Sequence, residues 1–272
     1  MRKGIKMKIA FIGSGFMARA MIRGITESET LRGEDILVVN PADPAGLDEV
    51  CAEYGVTAAQ GGDIASADCV FFAVKPQTFP EVCEQFGEYF TPDKIYLTIM
   101  AGVPTKTVSE AAHGAPVVRF MPNLALSVKK SATAFCLGEG AGERERELAL
   151  RLFAPLGEIR ELPESQMSEV TALSGSGPAY FYYLCEAMIE AAVADGMDPD
   201  TAKALAVQTF IGTAKLIEDA GESPTEMRRR ITSKKGTTEA GIGAMGDAGF
   251  FAAVDAGYRA ARDRSEELSK LF

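Results

Sequence analysis

Little in this sequence suits metal, disulfide or nucleic-acid chemistry. It has one histidine, His113, and five cysteines, Cys51, Cys69, Cys83, Cys136 and Cys185, widely spaced and without a C-x-x-C pair. That spacing supports neither a metal cluster nor a disulfide framework, so no metal site is expected and most of the cysteines read as small buried hydrophobes in a reducing compartment. Basic residues are outnumbered, 28 to 38, for a net charge of -10. This balance disfavours nucleic acid as the main partner and leaves a small, locally held anion allowed. No run approaches the roughly 18 apolar residues of a membrane span, and the basic Met1 to Lys8 leads into a strand with no apolar signal core. A cytoplasmic protein with no membrane partner is expected.

What is present is a soluble globular composition, 47% hydrophobic and 24% charged over 272 residues, enough for one large domain or two ordinary ones. The organising stretch is Lys8 to Ala20. An apolar strand, Lys8 to Ile12, meets Gly13-Ser14-Gly15, and a helix runs from Phe16. Such a turn aims backbone N-H groups and a positive helix end at one point, and its missing side chains admit a pyrophosphate. The pattern is G-x-G-x-x-A, with Ala18 small enough for close helix-strand packing. A tight turn that binds nothing is the alternative; a second strand, Asp35 to Asn40, at βαβ spacing favours the nucleotide.

Asn40 ends that second strand, where an acidic residue would hold a ribose 2′-hydroxyl and repel a 2′-phosphate. Asn40 is neutral and permits the phosphate. No Arg stands close by in the sequence and Asp43 opposes one, so NADPH is favoured, with NADH as the alternative. Further strands are expected at Val56 to Ala58, Cys69 to Val74, Ile95 to Ile99, Val117 to Phe120 and Ser131 to Leu137, alternating with helices through about Leu162. Ala73 to Pro76 lies at a strand's carboxyl end, where open α/β sheets bind ligands. Lys75 there either balances cofactor phosphate or is a solvated charge.

From Glu164 the pattern becomes helical. Ser174 to Pro178 is expected to interrupt a helix that resumes at Ala179 and ends before Gly196. Asp198 caps the next helix, and Ser223 with Glu226 forms a capping box. Ile231 to Gly241 is a polar turn opening a further helix. The division expected is a Rossmann-type doubly wound domain over 1–163 and a helical domain over 164–272, an α/β chain whose helical part, with apolar stretches on more than one face, is buried by dimerisation.

With Gly13-x-Gly15-Phe16-Met17-Ala18, Ala73-Val74-Lys75-Pro76-Gln77, Met121-Pro122-Asn123, Ala172 to Tyr180 and Thr232-Ser233 to Gly236-Thr237-Thr238 in order, the chain resembles pyrroline-5-carboxylate reductases from end to end. The resemblance implies NAD(P)H-dependent reduction of 1-pyrroline-5-carboxylate to L-proline, the last step of proline synthesis, by a homo-oligomer, a dimer or a multiple of dimers. It implies that Ile12, Gly13, Ser14, Gly15, Phe16, Met17, Asn40, Ala73, Val74, Lys75 and Pro76 touch the cofactor. Ser233, Gly236, Thr237 and Thr238 would hold the substrate, with Thr238 as the catalytic residue. Two departures stand out. Lys234 and Lys235 replace the family's Pro-Gly, and Gln60 and Gly61 occupy a region where the family has an Asn.

The chemistry suits these residues. Reducing C=N needs a hydride at carbon and a proton at nitrogen; an imine can arrive already protonated, so one histidine suffices, and His113 reads as a surface or capping residue. The Gly236 turn offers N-H groups to a carboxylate, and the Thr238 hydroxyl suits the ring nitrogen. Helix capping by Thr237 and Thr238 is expected alongside substrate contact. Ser174 to Gly177 either lets helices approach closely or touches ligand, and Tyr180, Tyr182 and Tyr183 belong to the core or a dimer surface. A reductase of a related cyclic imine and a non-catalytic nucleotide-binding protein are the rival readings.

Overall fold

Short apolar runs punctuated by glycine and proline build eight strands in the computed structural model, which describes residues 7–40 and 43–272. They are β1 (Ile9–Ile12), β2 (Ile36–Val39), β3 (Thr57–Ala58), β4 (Cys69–Phe72), β5 (Ile95–Thr98), β6 (Val117–Met121), β7 (Ser131–Leu137) and β8 (Gly157–Glu161). Their order across one sheet is β3-β2-β1-β4-β5-β6-β7-β8. All neighbours run parallel except β6 and β7, which pair antiparallel. The order reverses at β1, between β2 and β4, and that switch point is where such sheets open a ligand crevice.

The central strands are covered on both faces, so their sequences are continuously apolar. Side chains alternate between two cores: Ile9, Phe11, Cys69 and Phe71 on one face, Ala10, Ile12, Val70 and Phe72 on the other. Stacked rings fill the first, with Phe11 and Phe71 centroids 4.7 Å apart and Phe120 and Phe153 4.1 Å apart. The second is knitted by Phe72 set edge-on to Phe79 and Phe90. Cys69 and Cys136 are buried, and burial pushes the Cys136 thiol up to about 12.

The helices α1 (Phe16–Glu27), α2 (Pro44–Tyr54), α3 (Phe79–Phe86), α4 (Thr105–Ala111) and α5 (Glu143–Phe153) alternate with the strands. Pro104 immediately precedes α4 as its N-cap. His113 lies just past that helix, exposed and left-handed at φ 56°. The eighth strand is one the sequence does not announce. Gly157–Glu161 is a largely polar edge, paired along β7, where charged residues guard against further pairing.

The change of pattern at Glu164 is anchored to the sheet. Its carboxylate accepts the Thr105 backbone N-H at 2.8 Å, the Thr105 hydroxyl at 2.6 Å and Arg119 Nη1 at 3.0 Å. Beyond α6 (Met167–Val170) the α-helix is interrupted as expected near Ser174 to Pro178, although the interruption starts earlier, at Thr171. Thr171–Gly175 widens into a π-turn, and α7 (Gly177–Ala194) begins after a bend at Ser176. The extra backbone of a π-turn is accommodated by an outside partner here: Asn123 Nδ2 donates to Ser174 O at 3.1 Å. Gly175 gives room to a strand residue and not to a helix, since a Cβ there would lie 2.6 Å from Met121 Cε.

The remaining helices are α8 (Pro199–Ala220), α9 (Pro224–Ile231), α10 (Thr237–Asp247) and α11 (Phe250–Ser269). Asp198 caps α8 through Thr201 N at 2.9 Å, as expected. The capping box at Ser223 is only half made: its hydroxyl accepts Glu226 N at 3.2 Å, while the Glu226 carboxylate pairs with Arg229. Two compact units result, one of residues up to Ser176 together with Ala261–Phe272, the other Gly177–Ala260. Within the first, Thr107 Oγ1 donates to the Phe272 carbonyl at 3.1 Å and the Phe272 ring packs on the second core.

Within residues 177–260 only Gly177, Ala202 and Ala206 are buried. Phe181, Tyr182 and Tyr183 are 62%, 65% and 75% exposed, and Tyr180 is exposed as well, so these rings are not core. An apolar surface of this extent marks a face that another protein covers.

Candidate active site

Of the helices that begin at a glycine with no capping side chain, two are marked by a motif in the sequence. The first is α1. The β1 ladder continues past Ile12, with Gly13 N donating to Val39 O at 2.8 Å and Ala73 N donating to Ile12 O at 2.9 Å. Gly13 is left-handed at φ 107°, and a Cβ on it would lie 2.7 Å from Ala73 O and 3.0 Å from Val74 Cγ1. Only glycine fits there. Gly15 is the N-cap of α1, has no atom within 4 Å of a hypothetical Cβ, and is followed by no acidic residue in the first turn. The first-turn N-H groups lack intrahelical partners. The structure therefore keeps an open, glycine-walled anion cradle at the switch point, which fits a dinucleotide pyrophosphate.

Around that cradle the expected contacts fall as follows. Ile12 and Ser14 are buried, Met17 is half-buried, and Phe16 stands 64% exposed at the helix start. Asn40 donates Nδ2 to Ser14 Oγ at 2.6 Å. Ala73 and Val74 are half-buried at the end of β4, Pro76 starts a 3-10 turn, and Lys75 is exposed with no ion pair among the described residues. Gln60 caps a neighbouring 3-10 turn, its N-H bonded to Asp63 Oδ2 at 2.8 Å.

Sequence reasoning misses one residue. Arg19 donates Nε to Ser14 O at 3.0 Å, Nη2 to Gly46 O at 3.0 Å and Nη1 to Glu49 at 3.1 Å. Arg19 thus shares Ser14 with Asn40, bonding its carbonyl while Asn40 bonds its hydroxyl. It comes from α1, and no short-range pattern could show that the fold carries Gly46 to it.

The second open helix is α10, in the other unit. Gly236 N donates to Ser233 O at 3.0 Å, closing a turn, and a Cβ on Gly236 would lie 2.4 Å from Ser233 Oγ. Thr237 and Thr238 are the first two helical residues, with Gly236 as N-cap and no side-chain cap bond. The capping role expected of the threonines is therefore not observed. Neither hydroxyl has a partner among the described residues, and Thr238 is half-buried. The turn thus presents N-H groups and two uncommitted hydroxyls, a set that suits a carboxylate with a neighbouring hydrogen-bonding atom.

Lys235, where the resembling family has glycine, is left-handed at φ 61°, and its N-H donates to Glu239 at 2.6 Å. That conformation costs an L-residue about 1–2 kcal/mol. Lys235→Gly is expected to stabilise the protein by about 0.5–1 kcal/mol, after allowing for the looser unfolded chain. Urea unfolding of the two proteins measures it; a destabilised variant would show the strain to be absent.

Comparison with known proteins gives the chain its relatives. Residues 164–268 match the family described as pyrroline-5-carboxylate reductase dimerisation, and residues 8–102 match that described as NADP oxidoreductase, coenzyme F420-dependent. The chain is 36% identical to a pyrroline-5-carboxylate reductase of Methanosarcina acetivorans, covering 97% of this chain and 98% of that one. It is 34% identical to pyrroline-5-carboxylate reductase 1 of Bacillus subtilis, over 97% and 90% of the two chains. The solved pyrroline-5-carboxylate reductase of Coxiella burnetii superposes with a TM-score of 0.89 at 31% identity, over 97% of this chain and 99% of that one. With relatives this similar over nearly the whole length, the chain belongs to the pyrroline-5-carboxylate reductase family.

Proposed function

We propose that this protein reduces 1-pyrroline-5-carboxylate to L-proline with NADPH, or with NADH as the weaker alternative. Family membership supports the reaction. The observation that carries it onto this chain is the α10 start, where Gly236, Thr237 and Thr238 leave N-H groups and hydroxyls uncommitted. The nicotinamide, when bound, supplies the hydride. The chain's own residues do the rest. Gly13 to Met17 and Ala73 to Pro76 hold the dinucleotide, with Asn40 at its ribose end. The N-H groups after Gly236 and the Ser233 hydroxyl hold the substrate carboxylate, favoured by the positive end of α10. The Thr238 hydroxyl faces the ring nitrogen, orients it and passes a proton from water as the nitrogen becomes an amine.

Residues 164–272 serve as the substrate-binding and dimerisation domain, and residues 1–163 as the dinucleotide domain. The exposed aromatics of α7 and the near absence of buried residues in 177–260 support a homodimer, alone or repeated in a larger ring or stack. Cytoplasmic location suits five free cysteines, and no described helix is long and apolar enough to cross a membrane. The net charge of -10 argues against nucleic acid as a partner.

The test is loss of reduced-nicotinamide absorbance when purified protein meets 1-pyrroline-5-carboxylate, with NADPH and NADH compared at steady state. Turnover with this imine, faster with NADPH, is expected. Turnover confined to another cyclic imine, or nucleotide binding without turnover, would replace the reading.

A further inference from the structure

The carboxyl end of β2 is where a doubly wound sheet receives the adenosine ribose. Two side chains converge there on Ser14, which is 3% exposed. Asn40 donates to its hydroxyl at 2.6 Å and Arg19 donates Nε to its carbonyl at 3.0 Å. Arg19 is held at its far end as well, by Gly46 O at 3.0 Å and by Glu49 at 3.1 Å. A guanidinium carries five N-H groups, and three of them are in use among the described residues. The side chain keeps 28% of its surface in solvent. Gly46 makes this placement possible: a Cβ on it would lie 2.9 Å from Arg19 Nη2.

We propose that Arg19 is the specificity-determining residue for a 2′-phosphorylated nucleotide, a statement that rests on the nucleotide reading of the Gly13 crevice. A pre-positioned guanidinium with N-H groups uncommitted among the described residues matches a phosphate better than any other side chain, and Asn40, bonded to the same Ser14, adds a second donor without adding negative charge. Two carboxylates oppose it. Asp43 accepts Gly46 N at 3.0 Å and faces the positive end of α2, which takes up part of its charge. Glu49 pairs with Arg19 directly yet is 69% exposed, so solvent screens it. The preference is set by Arg19 and tempered by Glu49, and the two residues act in opposite directions.

Calorimetric titration of the full-length protein with adenosine 2′,5′-bisphosphate and with 5′-AMP isolates the 2′-phosphate without any turnover. Wild-type protein is expected to favour the bisphosphate by about tenfold, the effect of one good charge-assisted contact. Arg19→Gln should bring the ratio of the two affinities to about one, Arg19→Lys to an intermediate value, and Glu49→Gln should raise it about threefold. Glu49→Gln alters an exposed side chain and carries the test even where an Arg19 variant fails to fold. An unchanged ratio in a folded Arg19→Gln protein, a ratio lowered by Glu49→Gln, or equal affinity of the wild type for both ligands overturns the role of Arg19 and leaves the crevice reading intact. Failure of the wild type to bind either ligand overturns the crevice reading itself.

Discussion

Replacing Thr238 by alanine is expected to lower kcat by about 10²-fold, the usual contribution of a single positioned proton-transfer group. NADPH affinity should stay within about twofold of wild type, because the substitution touches only the imine side of the reaction. The structural grounds are specific. Thr238 is the second residue of α10, half-buried, and its hydroxyl has no partner among the described residues. Removing it frees no buried donor and opens no core cavity, so folding should be unaffected and a loss of rate would report on chemistry. A Thr238→Ser protein retains the hydroxyl and should recover most of the lost rate. Equal losses in kcat and cofactor affinity, with an unchanged melting curve, would remove the proton-passing role.

The second large effect belongs to Gly13. Gly13→Val places a β-branched side chain in a left-handed conformation and drives its Cβ into Ala73 O and Val74. Backbone strain of about 1–3 kcal/mol and overpacking of similar size add together, so a loss of about 3 kcal/mol or more in folding stability is expected. Nucleotide binding should be lost with it. Gly15→Ala provides the contrast: φ is -67° there and no atom lies within 4 Å of the new methyl. That protein should melt like wild type while binding dinucleotide less tightly, because the methyl occupies the approach of the pyrophosphate. Denaturant unfolding and nucleotide titration of the pair separate the two roles, and a Gly13→Val protein as stable as wild type would refute the close approach of β1 to Ala73.

The parts of this structure that can be read from sequence are those dictated by local pattern. Ile9 to Ile12 and Cys69 to Phe72 are apolar at every position because both faces of the sheet are covered, and glycine or a polar residue ends each run too soon for a buried helix. Gly13 and Gly15 advertise the cradle for the same local reason. Gly157 to Glu161 cannot be read so, since an edge strand takes its place from the neighbour it pairs with and its own residues are mostly polar. Arg19 escapes because its significance depends on Gly46, which only the folded βαβ unit brings close. Ser, Gly and Pro mark the break near Ser174 to Pro178, but not that it starts at Thr171 as a π-turn, a backbone form that the residues Thr171 to Leu173 do not signal. Thr237 and Thr238 have the composition of capping residues, yet Gly236 occupies the N-cap position and makes their capping unnecessary. In each instance the missing information is a long-range contact or a backbone angle that several conformations could satisfy.

The sparse interior of residues 177–260 has a consequence for the newly made chain. A polypeptide leaving the ribosome can complete its sheet alone, yet α7 to α10 keep most of their surface in solvent until a sister molecule arrives. During that interval the helices are the segment most open to proteases and chaperones, so cellular abundance should track how quickly copies find one another.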